Sequence, residues 1–230
     1  MKVAPVNIIS DISASSEDPS FPASYMLTTE VKQVWKSVAE SANVTISVNG
    51  DADTLLLTNI DAVSVSITVD GSTTDYATTA ARTIWHEYPE LTGAHEIMVS
   101  VTAAGGSVCR CGLAWGGLVK QIGGILKGVT RTPLENAIDT LYKNGGRDYR
   151  RLDIAYRYSG LVSLTNAEAV TLDRIIEQTG QSPLPWNIID IDRSYAVFGR
   201  LKAEPVRTFE GCDRNKMAIT VIGEFMPYKP

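Results

Sequence analysis

Apolar and polar positions alternate with a period of two through much of the first half of the chain. VTISV (Val44–Val48), AVSVSITV (Ala62–Val69) and HEIMVSVTA (His95–Ala103) follow this pattern, and TLLLT (Thr54–Thr58) is a short continuous apolar run. That period predicts strands with one face on a core. Asn49-Gly50-Asp51 and Asp70-Gly71-Ser72 punctuate them as turns, because Gly and Asn tolerate positive φ. Gly105-Gly106 turns the chain into a further strand, SVCRCGLAWGG (Ser107–Gly117). Short strands at this spacing, with no helices between them, predict a sandwich or barrel over residues 1–117. Pro5, Pro19 and Pro22 predict an irregular stretch over residues 1–43.

The pattern loosens from Gly116 to Gly146. Six glycines between Gly112 and Gly128 disfavour a helix, since each costs about 1 kcal/mol relative to Ala. A Gly-rich arm or loop is expected over residues 118–148. YRRLDIAYRYSGLVSL (Tyr149–Leu164) reads as a long strand, with Leu152, Ile154, Tyr156 and Tyr158 on one face. A helix follows near residues 166–179. Thr165 and Glu168 form a capping box, Ala169, Leu172, Ile175 and Ile176 make an apolar face, and Gly180 sits at the C-terminal cap. Four strand candidates close a β-rich module over residues 149–230: PWNIIDI, SYAVFGRL, EPVRTFEG and KMAITVIGEF. The expected fold class is mainly β, a sandwich followed by a smaller α+β module with one prominent helix.

Charge adds a polarity to this picture. The chain has 230 residues and a formal net charge of −5, so as a whole it is not expected to seek nucleic acid. Residues 1–100 carry four Lys/Arg and thirteen Asp/Glu (4 − 13 = −9), and residues 101–230 carry seventeen and thirteen (17 − 13 = +4). The split fits either two differently solvated surfaces or an acidic module on a basic half, suited to head-to-tail stacking. No apolar run approaches the ~20 residues that span a bilayer, and the opening MKVAPVNIISDIS, lacking a long apolar run, is not expected to act as a secretory signal.

Candidate chemistry is sparse. His86 and His95 are the only histidines, and neither sits in a motif with a nucleophile. Both are expected in surface or structural roles, His86 where a strand gives way to a loop. Cys109, Cys111 and Cys212 make no disulfide framework and no zinc spacing, so reduced thiols made in a cytoplasm are expected. Asp190 and Asp192 share a strand face without a calcium-loop spacing. No phosphate-binding glycine motif occurs. Catalytic residues, metal ligands and cofactors are therefore expected to be none. Arg147, Arg150, Arg151 and Arg157 interleave with Tyr149, Tyr156 and Tyr158, a composition that favours a subunit interface over nucleic acid. Leu118, Val119, Ile122, Ile125 and Leu126 are too apolar to float in water. With Arg147, Arg151 and Tyr156 they form the expected assembly surface. Trp35 is expected in the core. Together with Tyr25, Asp70 and Ser72 it is also a candidate glycan contact.

Residues Ala14–Ser37, ASSEDPSFPASYMLTTEVKQVWKS, followed by TLLLTNIDAVSVSITV, resemble the start of a discoidin, or galactose-binding-like, β-sandwich. The second half is similar to the structural half of tail-tip or baseplate (distal-tail-like) virion proteins of tailed bacteriophages. The features that carry this are Leu113–Trp115, the Gly/Pro arm, the long strand and helix, and PLPWNIIDIDRSYAVFGRL. The resemblance implies a structural virion protein that forms a ring, sixfold by analogy, and joins a tail tube to host-recognition components. It would be made in the bacterial host cytoplasm, be located in the virion tail, and have other phage tail proteins as partners. The alternative it implies is a discoidin-like module that recognises a cell-surface glycan. No enzymatic activity is expected on either reading.

Overall fold

The computed structural model describes residues 1–77, 83–141, 147–180, 182–189, 195–202, 207–209, 214–224 and 226–227. In chain order the elements are β1 (Lys2–Val3), β2 (Ile9–Ala14), a 3₁₀ turn (Ala23–Leu27), β3 (Trp35–Lys36), β4 (Ser41–Asn49), β5 (Ala52–Thr58), β6 (Ser64–Val69) and β7 (Ser72–Ala77). Then come β8 (Thr83–Leu91), β9 (Ala94–Thr102), β10 (Arg110–Cys111), β11 (Leu113–Gly117), β12 (Lys120–Gln121), β13 (Gly124–Leu141) and β14 (Arg147–Thr165). The helix α1 (Asn166–Thr179) precedes β15 (Leu184–Asn187), β16 (Ala196–Leu201), β17 (Arg207–Phe209), β18 (Arg214–Gly223) and β19 (Met226–Pro227). The protein is mainly β, as expected. It forms two compact units, Met1–Ile122 with Leu184–Phe198, and Gly123–Pro183 with Gly199–Pro230.

The first unit is a two-layer sandwich. One layer is a five-stranded antiparallel sheet in the order β2-β4-β9-β6-β7, and the other is the three-stranded sheet β11-β5-β8. Alternation and burial agree in β4, β6 and β9. In β4, Val44, Ile46 and Val48 point into the core. Thr45 and Ser47 lie opposite Met98 and Glu96 of β9 on the outer face. Against them from β5 come Leu55 and Leu57, joined by Ile67, Ile97, Val99, Met26 and Trp35 in one apolar cluster. β5 reads as a continuous apolar run because both of its faces are covered. Leu56, opposite Trp85 and Trp115, is as buried as Leu55. Trp115 in turn contacts Phe198, ring centroids 5.5 Å apart.

Several strands lie where none is predicted, among them the short β1 and β3 in the stretch expected to be irregular. β2 falls inside the stretch expected to be irregular; its alternation is interrupted by a bulge between Ile9 and Asp11. β7 is a polar edge strand, STTDYA, whose Thr73 and Asp75 hydrogen-bond to Thr68 and Ser66 rather than to a core. β8 carries Glu87, Pro89 and Glu90 at exposed positions. It places His86 inside a strand and buried, not at a strand-to-loop transition. The close packing also needs glycine at Gly112, where an added Cβ would lie 2.5 Å from the Val31 carbonyl oxygen and 2.8 Å from Asn59 Cβ.

The second unit overturns the expected Gly-rich arm. Residues 124–141 form β13, an 18-residue strand antiparallel to the 19-residue β14. Glycine and proline are absorbed here by register shifts between Ile125 and Lys127, Lys127 and Thr130, and Asn136 and Ala137, and by β13 being the outermost strand of its sheet. Gly123 enters with φ +59°, and an added Cβ would overlap the Ser163 carbonyl oxygen. On its other edge β14 pairs antiparallel with β18 over Arg157–Thr165. The observed division therefore differs from boundaries at 117/118 and 148/149. Residues 118–122 and the described part of 184–198 belong to the first unit, and 124–141 pair with β14 within the second.

Helix α1 follows its sequence signals closely. Thr165 Oγ1 accepts from the Glu168 amide at 3.3 Å, and the Thr165 amide donates to Glu168 Oε2 at 2.7 Å. Gly180 closes the helix with φ +59°, its amide donating to the Ile176 carbonyl at 2.7 Å. Ala169, Leu172 and Ile175 are buried, and the helix lies against β14 and β18. No helix among the described residues is long and apolar enough to cross a membrane.

Candidate functional site

At one end of the sandwich two turns enclose a cleft of about 390 Å³ lined by Asp70, Glu90, Leu91, Thr92, His95 and Glu96. The β6–β7 turn holds Asp70 at φ 47° and Gly71 at φ 76°, the double positive φ that suits a two-residue hairpin. The β8–β9 turn passes from the three-stranded to the five-stranded sheet, with Gly93 at φ 77°. The Gly93 amide donates to Asp51 Oδ1 at 3.3 Å, and its carbonyl accepts from the Gly50 amide at 3.3 Å. The same carbonyl lies 3.1 Å from His95 Nδ1. A carbonyl only accepts, so Nδ1 carries the proton. The wall of the cleft is thus fixed by backbone and ring contacts before any ligand arrives.

Behind the cleft runs a row of rings. Tyr76 and His86 are edge-to-face at 5.9 Å, His86 and Tyr88 are tilted at 5.8 Å, and Tyr88 and His95 are edge-to-face at 6.3 Å. Tyr76 Oη and His86 Nδ1 share a 2.8 Å hydrogen bond. Tyr88 Oη and His95 Nε2 are shielded from solvent and have no partner among the described residues. Burial, with the Asp53 charge behind it, pushes the Tyr88 phenol well above its ordinary range. Burial also raises the Asp53 carboxyl; the Val119 amide, donating at 2.8 Å, opposes this, and the charges of Glu87 and Glu90 add to it. Lys2 Nζ answers part of this negative charge by pairing with Glu87 at 2.8 Å, and Trp85 Nε1 donates to the same carboxylate at 2.6 Å.

Chemically, the lining supplies acceptors. Three carboxylates and the Thr92 hydroxyl can accept hydrogen bonds from a ligand rich in hydroxyl groups, and Leu91 gives a small apolar contact. The imidazole of His95 is committed on one nitrogen and shielded on the other, so it serves as wall. Among the described residues no group of three or more His, Cys, Asp or Glu could hold a metal ion. Cys109 and Cys111 are free and buried. Burial raises both thiols, Cys111 to about 12.

The structure distributes the predicted residues unevenly. Asp70 lines the cleft. Ser72 is exposed at the start of β7, two residues further on. Trp35 is 0% exposed in the sandwich core, which removes it as a glycan platform. Tyr25 is half-buried in the 3₁₀ turn. Of the expected assembly residues, Ile122 is buried within its own unit, its amide bonded to the Met1 carbonyl at 2.8 Å, so it offers nothing to a neighbour. Leu118 and Ile125 are half-buried. Tyr156 lies under the Arg131 guanidinium at 3.7 Å. Arg147 and Arg151 occupy paired positions on β14 opposite Leu141 and Ala137. The side chains of Leu126, Arg147 and Arg151, and residues Asp190, Asp192 and Cys212, lie outside the described residues. Glu90, Leu91, Thr92, His95 and Glu96 were not predicted as site residues. The only sequence signal near them is the Thr92-Gly93 turn.

No protein-family model and no curated protein sequence matches the chain. Among solved structures it is similar to a carbohydrate-binding module of Clostridium perfringens (CpGH89CBM32-5) in complex with GalNAc-β-1,3-galactose. That match has 11% identity and a TM-score of 0.40 and covers 46% of this chain and 94% of that one. It is also similar to the family 32 carbohydrate-binding module of C. perfringens NanJ in complex with galactose, at 14% identity and a TM-score of 0.32, over 52% of this chain and 100% of that one. A third is chitosan-binding module 1 from a chitosanase/glucanase of Paenibacillus sp. IK-5, at 16% identity and a TM-score of 0.40, over 51% of this chain and 99% of that one.

Proposed function

We propose that the chain is a non-catalytic binding protein whose sandwich unit takes a glycan in the cleft between the β6–β7 and β8–β9 turns. The observation that carries this reading is the cleft itself. Carboxylates and a hydroxyl converge on it from the β6–β7 turn, the end of β8, the β8–β9 turn and the start of β9, so both sheets contribute. Such a lining suits a neutral or cationic sugar, whose hydroxyl groups donate to Asp70, Glu90 and Glu96. The non-catalytic part is supported by the side chains that could otherwise do chemistry. His86 is buried and bonded to Tyr76, and Cys109 and Cys111 are buried neutral thiols. The purified 230-residue chain on a glycan array tests the reading. Retention on at least one glycan, abolished by Glu90→Lys with Glu96→Lys while the fold persists, is expected. Absence of retention on every glycan, or retention unchanged in the variant, contradicts it.

A second reading, a structural role in a ring-forming tail-tip assembly of a virion, is favoured by the β13–β14 hairpin. From Ala137–Arg151 out to Leu141–Arg147 it has only two paired strands among the described residues, and Ile138 there is half exposed. Isolated two-stranded ribbons are marginal in water, so this end gains from a neighbouring subunit or tail protein. The solution mass of the purified chain separates the possibilities. A closed oligomer supports assembly, and a monomer at high concentration counts against it.

A further inference from the structure

We draw no further inference here: the strongest candidate, the hydroxyl-rich outer face of the five-stranded sheet around the exposed Met98, satisfies its own groups through cross-strand pairs such as Thr68–Thr73 and Ser66–Asp75, and nothing in the structure shows what covers it.

Discussion

The five-stranded sheet of the sandwich and the β13–β14 hairpin are both antiparallel, yet different forces hold them. Each interior strand of the sheet has two neighbours, and one whole face rests on the apolar cluster around Ile46, Ile67, Ile97 and Val99. Among the described residues, the outer end of the hairpin pairs only within its own two-stranded ladder. β18 leaves it at Arg157, and β19 touches it only at Asp153–Ile154. A ladder bond exchanges one hydrogen bond for another with water and gains only about 0.5–1.5 kcal/mol net. Burial of an aliphatic side chain contributes about 1.5–3 kcal/mol. The lesson is that strand pairing defines the hairpin's shape, whereas burial gives the sandwich its stability.

The largest expected effect is on the buried side. Trp35→Ala removes a fully enclosed ring and should cost about 3–5 kcal/mol in chemical denaturation. Ile138→Ala, on the outer hairpin, should change stability by no more than about 0.5 kcal/mol. Comparable losses from the two would mean that the hairpin end is covered and the contrast is wrong.

Leu172→Ala comes next, at about 2–5 kcal/mol, because that side chain closes α1 onto β14 and β18. Thr165→Ala removes the capping box at the junction of β14 and α1 and should cost about 0.5–2 kcal/mol. Both act in the second unit, away from the outer hairpin. An unchanged melting curve for Leu172→Ala would show that the helix does not anchor that unit.

How much of this was legible in the sequence follows the same division. Where one face is buried, alternation marks the strand, and β4, β6 and β9 are readable from residues such as Val44, Ile46 and Val48. Where both faces are buried, a run such as Leu55–Leu57 marks it. β7 was invisible because an edge strand with Ser72, Thr73 and Asp75 facing water carries no apolar period. β13 was misread because Gly124, Gly128 and Pro133 are ordinary breakers; its free edge and bulges tolerate them, and neither is a local property. The helix was legible to its ends because Thr165, Glu168 and Gly180 act within a few residues of one another. The cleft was legible only at Asp70. Its other members come from the end of β8 and the start of β9, so their convergence depends on how the two sheets stack.

Smaller effects sharpen the comparison. Amides of residues 137–141 and 147–151 should exchange with deuterium well before those of 44–48, which sit in the middle of the sheet. Equal protection would place a further strand or partner on the hairpin. The smallest effect concerns pH. Burial raises Asp53 above the ordinary carboxylate value, so the folded state binds the proton more readily than the unfolded chain. This group therefore disfavours folding above its raised pKa, and the penalty fades as pH falls through that value towards the ordinary one. Asp53→Asn should melt at or above the parent temperature at pH 7, and the gap should narrow by pH 4. A gap that widens on acidification would reverse the assigned direction.

Amide chemical-shift mapping of the labelled 230-residue chain with an array-selected glycan tests the cleft most directly. Shifts concentrated at Asp70, Glu90, Thr92, His95 and Glu96 are predicted. Shifts centred elsewhere, such as on Tyr25 or on the outer face around Met98, with these five unmoved, would contradict it.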